Sequence, residues 1–119
     1  MRKVLVIDDD PAIVEVLRTV LEDAGFAVIA AASIDRVPAG TKADCVVADL
    51  VGVSSYSLET ARAALRPVRA RFADAPLIVA TAHRVAVHDR DELGVAALLA
   101  KPFDVDEAVR LVQSVLITS

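Results

Sequence analysis

Four stretches of the chain are apolar at nearly every position: "KVLVID" at 3–8, "CVVAD" at 45–49, "LIVAT" at 77–81 and "AALLAK" at 96–101. Short runs of this kind, without polar alternation, predict strands covered on both faces, as in a parallel sheet. "FAVIAAA" at 26–32 is a fifth, less polarised strand. Segments with helical spacing lie between them. In the first, Asp10 is placed to cap and Pro11 takes the first helical position; Ile13, Leu17, Val20, Leu21 and Ala24 share a face, and Gly25 stops the helix. In the last, Asp104 is the cap and Val105, Ala108, Val109, Val112 and Leu116 form one stripe. "SLETARAALRPVRARFAD" at 57–74 reads as a helix that Pro67 must kink or divide. "SIDRVPAGTK" at 33–42, interrupted by Pro38 and Gly40, supports a short helix at most, and "RVAVHDRDEL" at 84–93 is weakly periodic. Strand and helix thus alternate without repeats or low-complexity linkers. The pattern predicts an α/β domain, a doubly wound parallel sheet with helices on both faces.

Composition narrows the class. A chain of 119 residues suits one compact domain, residues 1–119, with room for a real core but not for two. Apolar residues make up 55% and charged ones 25%, the balance of a folded chain rather than a disordered one. Aromatics are only 3%, so Val, Leu, Ile and Ala must build the core. The formal net charge of −4, with Arg scattered along amphipathic stretches, offers no basic footprint for direct nucleic-acid binding. Cys45, the single cysteine, sits in an apolar run and reads as a small buried hydrophobe, which removes disulfide scaffolds and zinc sites. No apolar run approaches the about 20 residues of a membrane span, and the N-terminus lacks a signal-peptide pattern. No membrane contact and a cytoplasmic location are expected.

In doubly wound folds the functional groups gather outside the carboxyl ends of the strands. The first strand ends in Asp8, Asp9 and Asp10, the third in Asp49, the fourth in Thr81, and the fifth in Lys101 followed by Pro102. Carboxylates converging on one crevice repel one another as bare anions and form an oxygen-ligand site for a hard cation such as Mg²⁺. Lys101 and Thr81 add a positive charge and a hydroxyl, the groups needed to hold a phosphoryl oxygen beside the metal.

In these residues the chain resembles the receiver domain of two-component response regulators, of the single-domain chemotaxis type, and the resemblance runs through the whole chain in order. "DDD" after the first strand is similar to the family's acidic pair plus one, Asp49 to its phospho-acceptor, Thr81 in "ATA" to its strand-four hydroxyl, and "KPF" at 101–103 to its Lys-Pro signature. The resemblance implies a flavodoxin-like sheet of five parallel strands in order 2-1-3-4-5. It also implies that Asp49 accepts a phosphoryl group from a sensor histidine kinase or phosphotransfer protein. Asp9 and Asp49 would then ligate Mg²⁺ directly, together with the backbone carbonyl of Val51, and Asp8 through a bound water. Lys101 would pair with the acyl phosphate and Thr81 would move to hydrogen-bond it. Asp10 falls outside this set and remains the helix cap. On this reading the chain is a signalling switch, not an enzyme beyond its own phosphorylation and dephosphorylation.

Three positions depart from the family pattern. Val53 stands where a proline is common, Ser57 where a glycine is, and Leu98 where an aromatic switch residue usually lies three before the lysine. With Leu98, the usual coupling of threonine to aromatic cannot operate unchanged, so the response is expected in residues 82–93. Partner or self-association is expected through 84–115, with Leu111 and Val115 as an apolar patch off the core stripe of the last helix. Two alternatives stand beside the switch: a pseudo-receiver that binds partners without phosphorylation, and a phosphohydrolase resembling the haloacid-dehalogenase group, from the Asp-x-Asp within "DDD". His83 and His88 read as loop or helix-surface residues, with His83 bordering the crevice, and Tyr56, Phe26, Phe72 and Phe103 as packing residues.

Overall fold

The five apolar runs pair as parallel strands, β1 (Lys3–Ile7), β2 (Ala27–Ala31), β3 (Cys45–Ala48), β4 (Leu77–Thr81) and β5 (Ala97–Ala100), in the spatial order 2-1-3-4-5. The computed structural model describes residues 1–118, so Ser119, the end of the expected domain span, lies outside the described residues. Register decides where the chemistry emerges. Ile7 pairs with Ala48, and Thr81 with Ala100. Asp8, Asp49 and Lys101 each follow the last residue of a strand, so they leave the sheet at the same edge.

Alternate strand residues point to opposite faces. Val4 and Val6 enter a core with Leu17 and Leu21 of α1 (Pro11–Asp23) and Ala108 and Val112 of α4 (Val105–Thr118). Leu5 and Ile7 enter a second core with Ala61, Leu65 and Val68 of α2 (Leu58–Arg71) and Leu93 of α3 (Arg90–Leu93). Both ends of α1 follow the expected logic. The Ala12 N–H donates to Asp10 Oδ1 at 2.9 Å, Pro11 leads, and the chain leaves through Gly25 at φ 98°, a left-handed conformation that favours glycine. Ala24 is the C-cap and lies exposed rather than on the apolar face.

Pro67 neither ends nor divides its helix, because α2 runs unbroken from Leu58 to Arg71. Pro67 and Ala63, the residue one turn back that loses its donor, both lie on the exposed side, where water can replace the missing bond. Leu65 and Val68 on either side of the proline are buried and hold the helix to the sheet. Ser57 replaces the family's common glycine with a capping box: its Oγ accepts the Thr60 N–H at 3.1 Å, and Thr60 Oγ1 accepts the Ser57 N–H at 2.9 Å. The crossover from β2 to β3 contains a single 3₁₀ turn at Ile34–Arg36. Arg71, at the end of α2, secures it by donating to the carbonyls of Ile34, Val37 and Pro38 at 3.3, 3.0 and 2.9 Å.

The last helix corrects one expectation. Val115 is 8% exposed and belongs to the first core, and Leu111 is half-buried against it, so neither forms an external patch. Packing against both the sheet and α1 widens the apolar stripe of α4 to positions 108, 112, 115 and 116. Ile117, at 83%, is the large apolar side chain that α4 exposes. Cys45 is buried as expected, and burial first, then the nearby Asp44 charge, pushes its thiol up to about 12, which keeps it protonated and inert. Among the described residues no helix is long and apolar enough to cross a membrane.

Candidate functional site

Two features aim the side chains at the mouth of β1. The Asp8 N–H continues the sheet by donating to the Ala31 carbonyl at 3.1 Å, so the Asp8 carboxylate is carried into the interior and is 3% exposed. The Asp10 N–H closes the turn by donating to Asp8 Oδ1 at 2.9 Å, which leaves Asp9 facing outward. On β3 the Asp49 N–H donates to the Ile7 carbonyl at 2.8 Å and sets this half-buried carboxylate beside Asp8. One carboxylate oxygen from each of Asp8, Asp9 and Asp49 lies within 4.8 Å of the others. Lys101 reaches in from β5, donating to Asp8 Oδ2 at 2.7 Å and lying 3.5 Å from Asp49 Oδ1.

This electrostatic arrangement is uneven. Burial raises Asp49 above the ordinary carboxylate range, the positive charge of Lys101 opposes that, and the Asp8 charge adds to it. Burial alone would lower Lys101, but its hydrogen bond to Asp8 and the charges of Asp49 and Asp8 carry it above the usual lysine value. One ammonium is therefore shared by two of the three carboxylates, Asp8 and Asp49. Three hard oxygen donors within reach of one point, one of them buried, match the ligand set that a hard divalent cation takes. The carboxylates open into a cleft of about 350 Å³ bordered by Asp9, Asp49, Gly52, Val53, His83 and Lys101.

No protein-family model matches the sequence. The chain is 31% identical over 122 residues to the transcriptional regulatory protein FixJ of Bradyrhizobium diazoefficiens, an alignment covering 95% of this chain and 56% of that protein. The chain therefore spans just over half the length of the curated relative it matches. Among solved structures, a response regulator receiver protein from Burkholderia phymatum is 27% identical with a TM-score of 0.77, the match covering 98% of this chain and 95% of that one. A response regulator from Thermotoga maritima is 23% identical with a TM-score of 0.76, covering 100% of this chain and 99% of that one. In sequence and fold this chain is similar to response-regulator receiver proteins.

The fold brings four of the sequence-predicted site residues, Asp8, Asp9, Asp49 and Lys101, into one cluster. Thr81 lies fully buried at the end of β4, where its Oγ1 accepts the His83 N–H at 3.0 Å and its carbonyl accepts the Lys101 N–H at 2.8 Å. Val51 sits in the turn before Gly52, whose φ of 84° favours glycine, and its side chain packs on the second core. Leu98 pairs with Val79 and packs half-buried on that same core. His83 does border the cleft, as its closeness to Thr81 in sequence foretold, and its Nε2 lies 2.9 Å from the Val53 carbonyl. Tyr56 is more than a packing residue. Its hydroxyl donates to Asp89 Oδ2 at 2.6 Å, and its ring lies 5.9 Å from that of His83. Nothing in local spacing marks Asp89, because its partner is 33 positions away.

Proposed function

We propose that this chain is a receiver domain, a phosphorylation-controlled switch in which Asp49 accepts a phosphoryl group from a sensor histidine kinase or a phosphotransfer protein. The observation that carries the reading is the cluster itself: a half-buried carboxylate flanked by a buried one, an exposed one and a shared lysine, at the open edge of a parallel sheet. Burial strips water from Asp49 and raises its basicity, which favours attack of its oxygen on phosphorus as the donor's bond to phosphorus breaks. Lys101 is already within reach of Asp49 and is placed to pair with the incoming phosphoryl oxygens. Thr81, whose hydroxyl proton is not engaged by its bond from His83, is the donor that can turn toward the phosphoryl group.

The cation site is read as Mg²⁺, held by Asp9, Asp49 and the Val51 carbonyl, with Asp8 acting through water. A divalent ion bound there supplies positive charge to the transferring oxygens and relieves the mutual repulsion of the three carboxylates. The chain's own residues set its place: Asp8 is locked by Lys101 and the Asp10 N–H, while Asp9 stays free to face the ion. The domain extends through residues 1–119 and works in the cytoplasm, and its output passes to a second copy or a downstream protein through the 84–115 side, without direct nucleic-acid contact. The relatives are regulators, which favours the switch over the phosphohydrolase reading.

Incubation with Mg²⁺ and acetyl phosphate, followed by intact mass, tests the central step. One added phosphoryl group is expected on the wild type and none on Asp49→Asn. Full labelling of that variant would move the acceptor elsewhere, and an unlabelled wild type would favour the pseudo-receiver.

A further inference from the structure

If Asp49 is the acceptor, the signal still needs a way out of the site, and Leu98 supplies none because it packs against the second core opposite Val79. A different set of contacts leaves the site continuously. The buried Thr81 hydroxyl accepts the His83 N–H at 3.0 Å. The His83 ring donates from Nε2 to the Val53 carbonyl at 2.9 Å, since a carbonyl oxygen can only accept. The Tyr56 ring lies beside it, centroids 5.9 Å apart and planes at 33°, and the Tyr56 hydroxyl ends the series on Asp89 Oδ2 at 2.6 Å. These contacts tie the loop after the acceptor to the segment after β4. Burial and the hydrogen bond to Asp89 push the Tyr56 hydroxyl up to about 12, so it remains a donor at any working pH.

The receiving segment is held in two halves. Arg84–Asp89 forms six residues of 3₁₀ helix, longer than the three or four that this tighter winding normally sustains. Neither that helix nor α3 has a side-chain cap of its own. The α3 half is fixed from α2, where Arg62 donates to the Glu92 carbonyl at 2.9 Å and Arg69 donates to the Leu93 carbonyl. The 3₁₀ half has Ala86 buried beneath it and is bridged to the acceptor loop at Asp89. One half is thus anchored, and the other is tied to the loop beside the acceptor.

We infer that Tyr56 is the positioning residue that couples the acceptor loop to this 3₁₀ segment, in place of an aromatic at position 98. When the Thr81 hydroxyl turns to a phosphoryl oxygen on Asp49, the His83 amide loses its acceptor. His83, Val53 and Tyr56 then shift together, and the Tyr56 hydroxyl carries the shift to Asp89. The 3₁₀ stretch, longer than this winding normally sustains and without a side-chain cap, is the element placed to take up that displacement.

The test is hydrogen exchange on the whole chain with and without Mg²⁺ and beryllofluoride, for wild type, Tyr56→Phe, Asp89→Ala and the double variant, with acetyl-phosphate labelling of each followed by intact mass. Loading the wild type should change exchange of amides 84–89 by at least about five-fold, the lower end of ordinary coupling. Tyr56→Phe keeps the ring beside His83 and removes only the bond to Asp89, so its response should fall below about two-fold, with labelling of Asp49 and unloaded melting temperature retained. Asp89→Ala should match it, and the double variant should lose nothing further. An undiminished response in a labelled Tyr56→Phe, or a further loss in the double variant, would overturn this inference alone. Failure of the wild type to label at Asp49 would overturn the acceptor reading and this inference with it.

Discussion

The crossover between β1 and β2 and the one between β4 and β5 both leave the same sheet edge, yet they are built by opposite means. α1 carries its own specification: a side-chain cap at Asp10, a leading proline, thirteen helical residues and two nearly fully buried leucines, Leu17 and Leu21. The 84–93 segment has a six-residue 3₁₀ helix and one α-helical turn, and donors from other elements, Arg62, Arg69 and Tyr56, hold it in place. The site draws on both. Asp8 and Asp9 precede the stiff crossover and supply two of the three clustered carboxylates, where fixed geometry suits the proposed cation. Thr81 opens the loose one and Lys101 follows the strand it leads to, where the proposed change at Asp49 can become a change of surface. The proposed switch needs both properties, and the chain places them in different connections.

The largest effect that would break the contrast lies at its junction. Lys101→Ala strands the buried Asp8 carboxylate beside Asp49, and removing one partner of a buried pair typically costs about 3–5 kcal/mol, measurable by urea unfolding at neutral pH. A loss below about 1 kcal/mol would class the contact with surface ion pairs and leave the stiff side without its lysine anchor. The pH dependence follows from the same contact. Because Lys101 is raised above its ordinary 10.5 when folded, its contribution is complete below that value and is lost as pH climbs through the folded one. That alkaline loss should be absent from Lys101→Ala.

Next in size is a pair of core truncations. Leu21→Ala should cost within the about 2–5 kcal/mol seen for buried leucines, and Leu93→Ala should fall at the low end, because a one-turn helix ending at Gly94 can settle into the space. Equal losses would mean that the 84–93 segment is packed as firmly as α1. The smallest contrast compares local supports. Asp10→Ala should cost about 1 kcal/mol through the lost cap, read by thermal melting. Arg62→Ala breaks an exposed ion pair to Glu92 and a bond to its carbonyl, so it should change global stability by no more than about 1 kcal/mol while exchange of amides 90–93 rises clearly.

Much of this protein was legible in its residues alone. Uniform apolar runs set the strands, a cap and a period set α1, and strand-ending acids with a closing lysine marked the site, because each signal is local and a parallel sheet brings strand ends to one edge. Where packing outvoted local preference, only the tertiary structure decided. Pro67 stays within α2 because Leu65 and Val68 are held to the sheet and the lost hydrogen bond faces water. Val115 turns inward because α4 packs on α1 as well as on the sheet, which widens its buried stripe beyond the single row its spacing predicts. Tyr56 meets Asp89 and His83 meets Val53 across 33 and 30 positions. A hydroxyl or an imidazole announces no partner by spacing; which carboxylate or carbonyl lies 3 Å away is settled when two loops from different strands are brought side by side.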